Sequence, residues 1–353
     1  MNILGTIFVA IITTYISFTT YLADGIESLL SDTDTTASEN RFAELPSIFE
    51  RSIPDLLLKN AAYQQANVSQ AGLSGRTAND PSEALVNIFC TFTTPEYIRT
   101  TTGSGFFIDP DGIILTNAHV AQFLLLEETD QFGTAECIIR AGSPAAPEYE
   151  ADLLYLPPAW VAANAGNLSE AVPLGTGERD YALLYVQSSV DNDPLPASFP
   201  ALSIDTNLLS LAVRETSVTA AGYPASDIIQ NGANGDLLYK EAETTISELY
   251  TFGSNYADVI SIRGTVVGAE GASGGPVINA NGDVIGLIAT RGDDTIDGAG
   301  SLRAITMSHI SRTMQEETGS PLDDSLGGNL PLRSQLFTTT MAPFLLQILQ
   351  ENN

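Results

Sequence analysis

Between residues 82 and 306, short apolar runs recur at close intervals, punctuated by Gly, Pro, Asn and Asp. "ALVNIFCTF", "GSGFFID", "GIILTNA", "ECIIRAG", "EADLLYL" and "YALLYVQ" come first, then "SVTAAGY", "TTISELY", "DVISIRGTVV", "GPVINA", "DVIGLIAT" and "SLRAITM". Runs of this length bounded by turn formers predict strands, and so many in succession predict an all-β barrel or sandwich, not a parallel α/β sheet. Asp109-Pro110-Asp111-Gly112 predicts a hairpin turn with Pro second and Gly fourth. Ala280-Asn281-Gly282-Asp283 predicts another, of the primed type. After Met307, "SHISRTMQEE" has helical patterning with Ser308 as N-cap. The tail ends in "APFLLQILQ", a short amphipathic piece able to pack on the strands or bind a partner.

The other end of the chain is patterned differently. Residues 3–23, "ILGTIFVAIITTYISFTTYLA", carry no charge, and about 20 apolar residues suffice to span a bilayer. The stretch predicts a membrane anchor or a cleaved signal peptide. Tyr21 and Ala23 match a small-residue cleavage site poorly, which favours the anchor. With nothing basic beside it, either reading puts everything after residue 24 outside the cytoplasm. Residues 24–81, rich in Ser, Thr, Asp, Asn and Ala, read as a linker with short helical pieces.

Composition narrows the partners. The net charge of −29, from 43 acidic and 14 basic residues, would repel phosphate backbones and argues against nucleic-acid binding. No cofactor is called for, and two histidines with two cysteines at these spacings match no zinc pattern. Asp293, Asp294 and Asp297 faintly echo a calcium loop, but Ala304 stands where the closing glutamate belongs, so a solvated loop is expected. In an exported domain Cys90 and Cys137 most simply form one disulfide, two separate buried thiols being the alternative.

The segment "GAEGASGGPVINANGDVIGLIAT", residues 268–290, crowds glycines around Ser273. A tight loop between strands would explain them; so would a backbone bent to aim N–H groups at a reacting oxygen beside a nucleophilic serine. Serine needs a base, and only two histidines exist. His309, in the expected helix, reads as a surface or core residue. His119 follows a strand and the small-residue lead-in Thr116-Asn117-Ala118, which lets the backbone present an imidazole at a strand end. An orienting carboxylate is then required; Asp180 precedes "YALLYV", at the mouth of a buried strand.

In order, "GSGFFIDPDGIILTNAHV", "RDYALLYV", "TAAGYP" and "GASGGPVINANGDVIGLIAT" resemble the chymotrypsin-fold serine proteases, and among them the high-temperature-requirement branch. The resemblance covers roughly residues 82–312 and implies two antiparallel six-stranded β-barrels, 82–196 and 197–312, the second running into a C-terminal helix, with a tail over 313–353. It implies His119, Asp180 and Ser273 as a catalytic triad in the cleft between barrels, and the N–H groups of Gly271 and Ser273 as an oxyanion hole. A pocket walled by Val267, Ile288, Ala289 and Thr290, none acidic, implies small or medium aliphatic residues before the cut bond of a protein or peptide substrate. Trimers are common in that family, so an oligomer is compatible with the resemblance. The chain departs from it in two ways. Residues 318–353 do not read as the peptide-binding PDZ domain that usually follows. An insertion, "YLPPAWVAANAGNLSEAVPLGTGE", predicts a helix and loop beside the first barrel. Glu270 lies close to where an oxyanion would form and is expected to point away.

Overall fold

The computed structural model describes residue 78 and residues 80–352, except 128, 130–132, 168–176 and 232–234. The expected anchor or signal at 3–23, and the linker at 24–81 but for its last few residues, lie outside the described residues. Among the described residues no helix is long and apolar enough to cross a membrane.

The alternating runs form twelve strands in two closed barrels. The first holds β1 (Leu85–Thr93), β2 (Ile98–Asp109), β3 (Ile113–Thr116), β4 (Thr134–Ala141), β5 (Ala146–Tyr155) and β6 (Ala182–Ser189), in the order β1-β2-β3-β6-β5-β4. The second holds β7 (Ser217–Gly222), β8 (Lys240–Tyr250), β9 (Val259–Ile262), β10 (Pro276–Ile278), β11 (Val284–Arg291) and β12 (Leu302–Thr306), in the order β10-β11-β12-β9-β8-β7. Pairing is antiparallel throughout. Closure removes the unpaired edges an open sheet would expose. Two six-stranded antiparallel barrels of this kind are the chymotrypsin fold that the sequence led us to expect.

β1 and β4 close the first barrel, and Cys90 and Cys137 stand directly opposite each other on them. They are joined by a disulfide, with Cα atoms 4.0 Å apart. The β2–β3 turn forms as expected: Gly112, at φ 93°, donates its N–H to the Asp109 carbonyl at 3.1 Å. The β10–β11 turn does not form as expected. Every primed turn needs positive φ at its first central residue, here Asn281, and only Gly282 has it, at 89°. The Asn279 side chain instead accepts from the N–H groups of Asn281 and Asp283, and the register shifts between Val277 and Ile278. An Asx-capped loop with a bulge thus replaces the two-residue turn.

Three helical features bear on the site. α1 (Ala118–Leu126) follows β3 and buries nearly every side chain in the first barrel's core. α2 (Pro158–Asn164) supplies the helix expected in the insertion. α3 (Met307–Thr318) is capped by Thr306, whose hydroxyl accepts the His309 N–H at 3.2 Å, and not by Ser308. Ser308 lies inside the first turn and its buried hydroxyl pairs with that of Thr306. The chain then returns to the first barrel as α4 (Leu330–Leu336), a π-helical stretch Phe337–Met341, and α5 (Ala342–Asn352). "APFLLQILQ" therefore packs on the protein itself. Phe337, Met341, Leu345 and Leu349 join Trp160 and Val161 of α2 in the same core as the first barrel, while the second barrel has its own core around Val218, Ile246, Ile260, Val277 and Ile288.

Candidate active site

β3 ends at Thr116, Asn117 is extended at φ −82° and ψ 152°, and α1 begins at once. His119 is thereby fixed in the first helical turn at the barrel's end. Asp180 enters β6 from the other side and is fully buried. Its Oδ1 accepts the His119 main-chain N–H at 2.9 Å, and its Oδ2 lies 2.7 Å from His119 Nδ1. The Asn117 side-chain amide donates to the Asp180 carbonyl at 2.8 Å. A buried carboxylate is tolerable only when its oxygens are hydrogen-bonded, and here both are occupied by one histidine. Because a carboxylate only accepts, Nδ1 carries the proton, leaving the Nε2 lone pair for a partner.

Ser273 comes from the second barrel, in the loop before β10. Its hydroxyl donates to the Ala289 carbonyl of β11 at 3.3 Å. The main-chain donors of residues 271–275 fall into two groups. Ala272 donates to Ala269, Gly274 to Ile288 and Gly275 to Ala272. The N–H groups of Gly271 and Ser273 have no acceptor among the described residues. The Glu270 carbonyl accepts from Ala225 N–H at 2.7 Å; across a trans peptide this turns the Gly271 N–H the opposite way. Gly271 has φ 90°, and a Cβ there would lie 2.5 Å from the Tyr223 carbonyl oxygen. Gly274, at φ 88°, has no room for a Cβ against the Ser104 carbonyl. These are the close approaches that demand glycine; Gly282 only turns a loop.

The two halves meet through a residue the sequence reading missed. Ser104, on β2, is fully buried. Its N–H donates to the Ser273 carbonyl at 2.7 Å, its hydroxyl donates to the Gly271 carbonyl at 2.7 Å, and that hydroxyl accepts Tyr223 N–H at 2.9 Å. Thr116, beside the His119 turn, donates its hydroxyl to the Ser104 carbonyl at 2.7 Å. The available signal was a serine between two glycines inside a strand, in "GSGF", where a strand has no need of either.

Of the other expected site residues, Val267, Ile288 and Ala289 are buried and Thr290 half-buried. Glu270 is exposed. The acidic loop departs from the solvated loop expected: it contains a helical turn, and Asp297 is buried with Oδ2 accepting the Ser261 hydroxyl at 2.9 Å. Asp293 and Asp294 accept hydrogen bonds within the loop itself. His309 is a core residue. Its Nδ1 lies 3.0 Å from Asp258 Oδ1, an oxygen that also receives Arg312. Oδ2 of the same carboxylate accepts from Phe252 N–H, Thr251 and Ser254. Burial alone would raise the Asp258 pKa; hydrogen bonds from His309, Ser254 and Phe252 N–H overcome it and hold the carboxyl well below its usual range.

Two barrels, a half-buried histidine paired with a buried aspartate on one and a glycine-bent serine loop on the other define the chymotrypsin-type class. Residues 103–287, more than half of the chain, match the family model for the trypsin-like peptidase domain; the chain belongs to that family. Among curated proteins it is similar to serine protease HTRA4 of Mus musculus, 24% identical over 310 residues, covering 85% of this chain and 53% of that protein. It is also similar to serine protease HTR4 of Rattus norvegicus, 25% identical over 258 residues, covering 73% of this chain and 42% of that protein. The chain thus spans about half the length of the curated relatives it matches. Among solved structures, the active form of the Rv3671c protease from M. tuberculosis matches at 21% identity and a TM-score of 0.40, over 83% of this chain and all of that one.

Proposed function

We propose that this protein is a serine endopeptidase working through a Ser273–His119–Asp180 triad. The observation that carries the reading is the pair of unspent N–H groups at Gly271 and Ser273, beside Ala272, Gly274 and Gly275, whose N–H groups all bond to other carbonyls of the protein. Two such donors flanking one hydroxyl form a cradle for an oxyanion, and loss of one donor in a site of this kind costs about 3–4 kcal/mol of barrier.

In the reaction, Ser273 Oγ leaves the Ala289 carbonyl and attacks the scissile carbonyl carbon while His119 Nε2 takes its proton. Asp180 stabilises the imidazolium and keeps Nδ1 protonated. The tetrahedral oxyanion rests on the two N–H groups. His119 then protonates the leaving amine, the peptide C–N bond breaks, and water hydrolyses the acyl-enzyme by the same proton path. Substrates are proteins or peptides with small or medium aliphatic residues before the cut, held against Val267, Ile288, Ala289 and Thr290. The protein works outside the cytoplasm, tethered or released through residues 3–23.

A fluorophosphonate probe tests the chemistry. Labelling of the wild type that is lost in Ser273→Ala, and strongly reduced in His119→Ala and Asp180→Asn, is the expected result. A folded wild type that never labels would leave a silent protease-fold scaffold as the reading. A peptide library cleaved mainly after Lys or Arg would overturn the specificity.

A further inference from the structure

Asp180 is held from a direction the triad does not use. Arg179, the residue before it, is 8% exposed and has φ 55°. A bulky side chain adopts that left-handed conformation only when its surroundings enforce it. The guanidinium lies 3.0 Å from Glu178 Oε1, 3.0 Å from Glu317 Oε1 and 3.6 Å from Glu316 Oε2. Glu317 is itself buried, and its other oxygen accepts the Tyr155 hydroxyl at 2.6 Å. Tyr181, the residue after Asp180, is fully buried with its hydroxyl 3.1 Å from Thr313 Oγ1. Both chain neighbours of Asp180 are therefore tied to one face of α3, at positions 313 and 317, four residues apart on a helix.

The other end of α3 is tied to the second barrel. Thr306 caps it and donates its hydroxyl to the Ala257 carbonyl at 2.8 Å; His309 and Arg312 both bind Asp258. The helix thus runs from a clamp on the barrel that bears Ser273 to a clamp on the segment that bears Asp180. Its far end grips the side chains on either side of a carboxylate whose two oxygens must both meet His119.

We propose, on the basis of the triad reading above, that Arg179 is a positioning residue for the reaction, held by Glu317 and acting through Asp180 to aim its carboxylate at His119. Arg179 touches neither substrate nor the reacting atoms. A guanidinium suits the role because its fork engages several carboxylates at once and stays charged when buried.

The test uses the full chain with Arg179→Ala, Arg179→Lys and Glu317→Gln, and with Arg214→Ala as a control that removes an exposed ion pair with Glu248. Fluorophosphonate titration counts competent sites, so that kcat is expressed per site and loss of folded protein does not enter. The proton NMR signal of the His119–Asp180 hydrogen bond, assigned by its loss in Asp180→Asn, gives an independent readout. Arg179→Ala and Glu317→Gln are expected to lower kcat at least tenfold with KM within twofold and to broaden or shift that signal. Arg179→Lys should recover part of both, and Arg214→Ala should change neither. If Arg179→Ala does not fold, Arg179→Lys and Glu317→Gln are read alone against the same criteria. Values of kcat within twofold of wild type, with the NMR signal unmoved, would overturn the positioning role while leaving the triad intact. A wild type that fails to label, or an Asp180→Asn variant as active as wild type, would overturn the triad reading and this role with it.

Discussion

The hydroxyl of Ser104 in the first barrel donates to the carbonyl of Gly271 in the second, at 2.7 Å and out of contact with water. The same hydroxyl takes the Tyr223 N–H, so one side chain joins β2 to the nucleophile loop and to the end of β7. Ser104→Ala would leave a buried carbonyl and a buried N–H without partners, at about 1–3 kcal/mol each, and would free the peptide after the proposed oxyanion donor. The expected outcome is a fall in kcat of roughly 10- to 100-fold with little change in KM, matched by weaker binding of a peptide boronate. Unchanged boronate affinity would show that the loop keeps its shape without Ser104.

The disulfide closes a 47-residue separation. Constraint of the unfolded chain by a loop of that size is worth about 4 kcal/mol. Cys90→Ser combined with Cys137→Ser should therefore lower stability to urea by a few kcal/mol, while peptidase activity per labelled site stays near that of the oxidised protein, because the bond lies on β1 and β4, away from His119 and Asp180. Reducing agent alone should reproduce the loss.

Asp258 ties α3 to the second barrel, and its depressed pKa defines when that tie holds. The contribution to stability is present in full above the ordinary carboxyl pKa near 4 and is lost as pH falls through the lower folded value. Asp258→Asn should cost about 3–5 kcal/mol at neutral pH, as expected for a buried pair stripped of one partner. The gap between variant and wild type should shrink on acidification below about pH 4. Urea titrations at pH 3 and pH 7 measure both.

Glu317 behaves in the opposite sense. Burial pushes its carboxyl up to about 7, against the pull of Arg179 and the Tyr155 hydroxyl. For Arg179, burial opposes the charge, but Glu317, Glu178 and Glu316 more than offset this and raise its pKa; the guanidinium stays charged while the acid titrates. A carboxyl whose folded pKa lies above its unfolded value contributes stability at low pH that is lost as pH rises, here between about 4.5 and 7, by about 3 kcal/mol in total. Glu317→Gln has no proton to lose, so it should grow more stable relative to wild type over that window. Thermal melts at pH 5 and pH 8 give the difference, and equal differences at both would show that Glu317 titrates normally.

Strands, barrel count and the likeness of the His119, Asp180 and Ser273 segments to a protease family were legible in the sequence, because alternation, turn residues and ordered motifs are local signals. The contacts that hold those segments together were not. The glycines beside Ser104 mark its place in the strand, but not its partner Gly271, 167 residues away. Nothing local marks Arg179 until α3 brings Glu317 to it. The Ser308 cap was misplaced by two residues because Thr306 serves both as the last residue of β12 and as the cap, a double duty that patterning cannot show. The Asn281-Gly282 turn was misassigned because the Asn279 side chain competes for the same N–H groups.

The return of residues 330–349 to the first barrel sets an order of events during synthesis. The outer face of that barrel, around Trp160 and Val161, is completed by Phe337, Met341, Leu345 and Leu349, which are translated after every strand of both barrels. A nascent chain that has already made residues 119, 180 and 273 still lacks this cover and, until residue 317 emerges, the grip on Arg179. Domains of this kind tend to mature as units, so residue 349 must be made before the first barrel can close over its own core.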